Sequence, residues 1–301
     1  MTKIALTGAT GFIGSAVLKQ LVNDGHEAVV LLRNESNTDR IRALLNCETV
    51  YYQDLAQAGL AETLATHKPD AFIHLAWKGV GGNDRNKSFQ ITENLPFTLR
   101  SVELAHAVGC RHWIGIGSQA EYGNPNCKVA ETAPALPTTL YGKAKLASCW
   151  AGLGLSEGLG MKGSWIRVFS TYGVGDDPAW FIPYIISELK KGNAPKLTKC
   201  EQLWDYLYVD DAARAILSVL YHEAAGLFNI GSGQAISLKS VVELIRHAIN
   251  PDMTIDYGAV PYRPDQVMHL EANTSKIKRL TGWVPEVSIE EGLREMIAVS
   301  L

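Results

Sequence analysis

Tyr141 and Lys145 stand four residues apart in Tyr141-Gly142-Lys143-Ala144-Lys145, and on a helix they share one face. A phenol with a pKa of about 10 is a poor acid–base catalyst at neutral pH, and an ammonium one turn away is expected to lower that value. Ser118 follows the apolar run Trp113-Ile114-Gly115-Ile116-Gly117. If that run is a strand, Ser118 lies at its carboxyl end, where open α/β sheets place their ligands. The three groups suit proton transfer at an oxygen while hydride moves at its carbon. The spacing Y-x-x-x-K is common by chance, so this chemistry depends on an element that brings a hydride carrier to it.

The N-terminus offers that element. Lys3-Ile4-Ala5-Leu6-Thr7 reads as a buried strand, Gly8 to Gly14 as a turn and Ser15 to Val22 as a helix. Gly8, Gly11 and Gly14 allow a tight turn, a close approach to a pyrophosphate and close packing of helix on strand. Phe12 and Ile13, within the turn, are expected beside the cofactor, and the N-terminus of the helix that follows presents free N–H groups to phosphate. The spacing is G-x-x-G-x-x-G, not the commoner G-x-G-x-x-G. The second strand, Val29-Val30-Leu31-Leu32, ends in Arg33-Asn34 where an acid holding the ribose of NAD is usual. A guanidinium there suits a 2′-phosphate, so NADP(H) is expected over NAD(H); the alternative is a solvated arginine at a strand end. Asp54-Leu55 follows the third strand, where Asp54 either accepts from the adenine amino group or caps a helix.

Alternating segments extend this unit. Strands are expected over 4–7, 28–32, 49–53, 71–75, 112–117 and 164–169, with helical runs over 15–22, 40–45, 59–66 and 95–108 and another after Tyr141. Such alternation predicts an α/β fold, a Rossmann-type doubly wound parallel sheet, followed by a smaller, mostly helical C-terminal substrate domain. The dinucleotide-binding domain is assigned to 1–170 plus 204–228 and the substrate domain to 171–203 plus 229–301. Beyond Phe169 a helix is expected over 181–191, a strand over 207–209, a helix capped by Asp210 and another capped by Ser237. With 301 residues, 47% apolar and 20% charged, the chain can bury a substantial core. A net charge of −3 gives no footprint for nucleic acid or membrane surfaces. No run approaches the ~18 apolar residues of a membrane span, and no signal peptide is evident. Cys47, Cys110, Cys127, Cys149 and Cys200 are scattered, and read as reduced cytoplasmic thiols with neither disulfides nor a metal site.

Gly8/Gly11/Gly14, Ser118 in Gly117-Ser118-Gln119-Ala120-Glu121-Tyr122-Gly123, and Tyr141/Lys145 together resemble the extended short-chain dehydrogenase/reductases, in particular the NAD(P)-dependent nucleoside-diphosphate-sugar epimerase/dehydratase/reductase family. The resemblance continues through His74-Leu75-Ala76-Trp77, Asp205 to Asp211, Arg263-Pro264 and Gly282-Trp283-Val284-Pro285. It implies Ser118, Tyr141 and Lys145 as the catalytic set, with Lys145 also on the nicotinamide ribose. It further implies Ala76 beside the cofactor, Arg263 on the substrate pyrophosphate, and a homodimer formed through the 95–108 helix and the helix after Tyr141.

The departures narrow the reaction. Family dehydratases carry Asp-Glu directly after the catalytic Ser/Thr, whereas this chain has Gln119-Ala120, which cannot drive elimination. Epimerases of the family typically carry an acid near Leu32-Arg33 and retain their NAD. The expected activity is therefore NADPH-dependent reduction of a nucleotide-linked keto-sugar, most plausibly a 4-keto-6-deoxy sugar, with Tyr141 as proton donor and Ser118 on the oxygen. An NAD-retaining epimerase is the alternative. A non-catalytic dinucleotide sensor is disfavoured by the intact set. Gln119 and Trp77 are expected near the sugar, Trp77 either walling the pocket or lying in the interior. The loop 77–82 reads as mobile, Asn94 as a cap or site residue, and His74 as core. Trp204, Ser170 and Gln266 depart from the family pattern and imply remodelled nucleotide and sugar pockets.

Overall fold

A computed structural model describes residues 2–44, 47–263 and 266–299. The last residue of the expected 40–45 helix and Pro264 of the tail motif lie outside these. The elements are β1 (Lys3–Thr7), α1 (Phe12–Asn23), β2 (Glu27–Arg33), β3 (Glu48–Tyr52), α2 (Leu60–Thr66), β4 (Ala71–His74), α3 (Phe89–Thr92), α4 (Asn94–Ala107), β5 (His112–Ser118), β6 (Cys127–Val129), α5 (Leu140–Gly158) and β7 (Lys162–Val168). The chain continues through β8 (Ser170–Tyr172), α6 (Phe181–Lys190), β9 (Leu203–Tyr208), α7 (Val209–Tyr221), β10 (Gly226–Ile230), β11 (Ala235–Ser237), α8 (Leu238–Ile249), β12 (His269–Ala272), α9 (Ser275–Thr281) and α10 (Ile289–Val299).

Seven parallel strands form the main sheet in the order β10-β7-β5-β4-β1-β2-β3. Side chains on a strand alternate between faces, so the apolar run of β2 serves both sides. Ala28, Val30 and Leu32 enter the core beneath α1 and α7, while Val29 and Leu31 enter the core beneath α4 and α5. The chain leaves β1 towards β2 and β3 on one side, and β4 and β5 lie on the other. The sheet order thus reverses between β1 and β4, the crevice where open α/β sheets hold ligands.

A second, five-stranded sheet runs β11-β9-β12-β6, with β8 on β9. It packs with α6, α8 and α10 around Ile185, Ile186, Val241, Ile245 and Leu293. Of the interval 204–228, β9 lies in this sheet and β10 in the main one. The second half thus combines helices with short strands that period-2 patterning does not reveal, because three- and four-residue strands are too brief to show it. The described part of the 40–45 run, 40–44, falls in a 3-10 helix, Asp39–Leu44. The expected strand at 207–209 is the end of β9, which begins four residues earlier and stops at Tyr208, with Val209 already helical. Asp210 does not cap α7: Tyr208 holds that position, and Asp210 pairs with Lys19 at 3.3 Å. Ser237 does cap α8, accepting from the Ser240 N–H at 3.0 Å. No described helix is long and apolar enough to cross a membrane.

Candidate active site

Because β1, β4 and β5 are adjacent and parallel, their carboxyl ends form one rim carrying Thr7, His74 and Ser118. The glycine turn follows β1. Gly8 has φ +76°, and a Cβ there would stand 2.5 Å from the Ala76 nitrogen. Gly11 occupies the N-cap of α1 with no side chain across the helix end. A Cβ on Gly14 would overlap the Gly8 carbonyl oxygen. The turn is thus a backbone cradle that larger residues would fill, with the helix N-terminus facing it, and it fits a dinucleotide pyrophosphate. Phe12 and Ile13 pack partly into the core beneath.

α5 brings Tyr141 and Lys145 against the end of β5. Lys145 is buried, donates to the Ile116 carbonyl at 2.7 Å, and holds its ammonium 3.6 Å from the Trp77 ring centroid. Burial lowers its pKa to about 7, with Glu121 opposing the shift. Tyr141 meets Trp77 edge-on at 6.0 Å, and the neighbouring Ser118 side chain favours its ionised form. The expected lowering of the phenol by Lys145 is not what this geometry produces. Burial raises Tyr141, opposed by Ser118 and Arg85, while the ammonium stands 6.0 Å from the ring and is engaged by Ile116 and Trp77.

Ser118 also opens a 3-10 turn. Its Oγ accepts the Ala120 N–H at 3.2 Å, which leaves the hydroxyl proton free to donate. Glu121 folds back beneath: Oε1 accepts from the Ser118 N–H and from Trp165 Nε1, each at 2.9 Å, and Oε2 from Arg167 Nε at 2.6 Å. This ion pair is fully buried, with side-chain exposures of 0% and 1%. Glu121 is therefore the base of the serine turn. Ser118-x-x-Glu121 is a capping-box spacing, a signal the sequence carried. Gln119, half-buried, begins the turn.

The segment after β4 is pinned in place, contrary to the mobility expected for 77–82. Asn94 accepts the Lys78 N–H and donates to the Lys78 carbonyl, both at 2.9 Å, and also donates to Gln90 Oε1 at 3.1 Å. Gln90 in turn accepts from Trp77 Nε1 at 2.9 Å and donates to the Gly79 carbonyl at 2.5 Å. Asn94 is thus a loop anchor and not the N-cap of α4, a position that Glu93 holds. His74 shares a 2.9 Å hydrogen bond with Thr7, and burial lowers its pKa to about 3, so it stays neutral.

The other expected groups lie apart. Arg33 is exposed at the end of β2, beside Tyr52. Asp54 accepts from the Ala56 N–H at 2.8 Å and pairs with Arg100 at 2.6 Å, closing a turn and capping no helix, since Gly59 caps α2. Leu55 is buried in the core beneath α4. Arg263 is exposed, its carbonyl accepting the Gln266 N–H at 3.1 Å. Among the described residues, no hydrogen bond or ion pair joins Arg33, Asp54 or Arg263 to Ser118, Tyr141 or Lys145. Arg40, unremarked in the sequence, donates to the Gly175 carbonyl at 2.8 Å and to Thr10 at 3.4 Å, tying the glycine turn to the loop after β8.

A seven-stranded parallel sheet, a glycine cradle at its switch point and a Ser-Tyr-Lys cluster beside it define a dinucleotide-dependent oxidoreductase architecture. The chain belongs to the NAD dependent epimerase/dehydratase family, whose model matches residues 4–231. It is 29% identical over 306 residues to CDP-abequose synthase of Salmonella muenchen, covering 99% of this chain and 97% of that protein. To UDP-glucose 4-epimerase of Corynebacterium glutamicum it is 25% identical over 305 residues, covering 94% and 91%. The fold matches UDP-N-acetylglucosamine 4-epimerase from Methanobrevibacter ruminantium M1 with a TM-score of 0.88 at 23% identity, covering 99% and 97% of the two chains.

Proposed function

We propose that this protein reduces a nucleotide-linked keto-sugar, most plausibly a 4-keto-6-deoxy sugar, using NADPH. The observation that carries the reading is the assembly of Ser118, Tyr141 and Lys145 beside a turn with no free acid. Gln119 and Ala120 replace the acids elimination needs, and Glu121 is spent on Ser118, Trp165 and Arg167. Gly8, Gly11, Gly14 and Ala76 would hold the dinucleotide, with Phe12, Ile13, Asp54 and Leu55 around it and Arg33 at a 2′-phosphate. The cofactor supplies the hydride. Tyr141 then gives its proton to the substrate oxygen, and Ser118 donates a hydrogen bond to that oxygen. Lys145 holds the nicotinamide ribose. Arg263 suits a pyrophosphate, which a guanidinium binds bidentately. Trp77 and Gln119 line the sugar side. Similarity to CDP-abequose synthase makes CDP-linked keto-sugars the first substrates to assay.

Similarity to a 4-epimerase supports the second reading, an enzyme that keeps its NAD. Purified protein distinguishes the two. The reductase consumes NADPH on a keto-sugar nucleotide. NAD that stays bound through gel filtration, with no NADPH consumed on any such substrate, sinks the reductase. Tyr141→Phe should lower turnover by about 10²–10⁴-fold without lowering the melting temperature, as read by NADPH absorbance and calorimetry. Full turnover in that variant would refute Tyr141 as donor. Arg33→Ala should weaken NADPH more than NADH, and unchanged NADPH affinity would remove the cofactor preference.

The reading includes a homodimer through α4 and α5 and a cytoplasmic setting. Trp150 on α5 is 61% exposed, which supports the first, and five free cysteines support the second. Trp150→Glu should sediment as a monomer where the wild type sediments as a dimer. Identical profiles would place the interface elsewhere.

A further inference from the structure

The loop between β4 and α3 reaches the start of the catalytic helix. The Arg85 carbonyl accepts the Tyr141 N–H at 2.7 Å, Asn86 Oδ1 accepts the Leu140 N–H at 3.1 Å, and Thr139 Oγ1 accepts the Gly142 N–H at 3.1 Å. Three of the donors a helix leaves unpaired at its N-terminus are thereby filled, two of them by this loop. The docking sets the Arg85 guanidinium 5.4 Å from the Tyr141 ring centroid. Nearby acids have other partners: Asp84 pairs with Lys87 at 2.8 Å and Glu93 with Lys78 at 2.7 Å. Arg85 forms no ion pair among the described residues.

We propose that Arg85 is a positioning residue for the reaction, its guanidinium stabilising the phenolate that Tyr141 becomes as its proton leaves for the substrate oxygen. This rests on Tyr141 as the proton donor. As hydride adds to the carbonyl carbon, the C=O electron pair moves to oxygen and takes the phenol proton, so a negative charge appears on Tyr141 within reach of Arg85. The other groups facing Tyr141 do not serve this end equally. Lys145, on α5, is turned to Ile116 and Trp77. Glu121, beneath β5, acts against the phenolate. Ser118 also favours the phenolate but carries no charge, and His74, on β4, is neutral and faces Lys145. Burial raises the phenol, and Arg85 is the cation that opposes it.

The contact that fixes Tyr141 uses the Arg85 backbone, so side-chain variants keep it. Arg85→Gln and Arg85→Lys would be compared with wild type by NMR of tyrosine labelled at the hydroxyl-bearing carbon, with Tyr141→Phe assigning the signal. Ionisation of Tyr141 should move to higher pH by about one unit in Arg85→Gln and return most of the way in Arg85→Lys. The same midpoint in all three proteins, or a phenol un-ionised throughout in all three, overturns the proposal. This readout needs no substrate. It therefore stands apart from turnover: inactivity of the wild type on keto-sugar nucleotides would defeat the proposed function, not the role of Arg85. With turnover in hand, the alkaline limb of kcat should move in the same direction, with KM little changed.

Discussion

Lys145 divides its ammonium between the Ile116 carbonyl at 2.7 Å and the Trp77 ring at 3.6 Å, both within a buried site. Removal from water costs the charged form more than these contacts return, so its pKa is lowered to about 7 from 10.5. The sign for stability follows directly. Between those two values the unfolded chain binds a proton that the folded chain has released, so unfolding becomes harder as pH rises. The cost is fully present below about pH 7 and gone above the unfolded lysine's range. Urea denaturation from pH 7 to 10 should show this rise, and Lys145→Met should flatten it while abolishing turnover. A variant as pH-dependent as wild type would mean that Lys145 stays charged in the fold.

Among the elements, the segment 77–90 owes its conformation to two amides. Asn94 grips Lys78 by both backbone groups, and Gln90 ties Trp77 to Gly79. Asn94→Ala leaves the Lys78 N–H and carbonyl without these partners, at about 1–3 kcal/mol for each buried group left unsatisfied. Its melting temperature should fall, and amide exchange should quicken over 77–81 while β1 and β2 stay protected. Unchanged exchange in that loop would show that Gln90 alone suffices. The same anchoring explains the Trp77 environment, since an indole fixed at its nitrogen offers its face to Lys145.

Across the whole molecule, a buried carboxylate helps to join the two sheets. Asp205, on β9, accepts from the Ser232 N–H and hydroxyl at 2.6 Å, the Gly233 N–H at 3.0 Å and the Ala272 N–H at 2.9 Å. It thereby binds the turn leaving β10 of the main sheet to β9 and β12 of the second. Asp205→Ala strands several backbone donors, and a loss of about 3 kcal/mol or more is expected from costs of about 1–3 kcal/mol each. Chemical denaturation checks this. Stability within about 0.5 kcal/mol of wild type would mean that water satisfies those donors.

Strand–turn–helix patterning and the spacing of Gly8, Gly11, Gly14, Tyr141 and Lys145 were enough for the parallel sheet, the cradle and the face that α5 presents, because these depend on period and on residues a few positions apart. Ser118-x-x-Glu121 was equally local, yet its meaning was hidden, since Arg167 and Trp165 arrive from β7 through strand pairing. The second sheet escaped notice because β6, β8, β11 and β12 are too short for alternation to register. The balance of charge around Tyr141 depended on the tertiary structure. Four residues of helix bring Lys145 near, but burial, the Ile116 carbonyl and Trp77 turn its ammonium away, and Arg85 comes from a loop more than fifty residues distant in the chain. Sequence spacing sets which groups share a face; desolvation and the neighbours packed against that face set what charge each group carries.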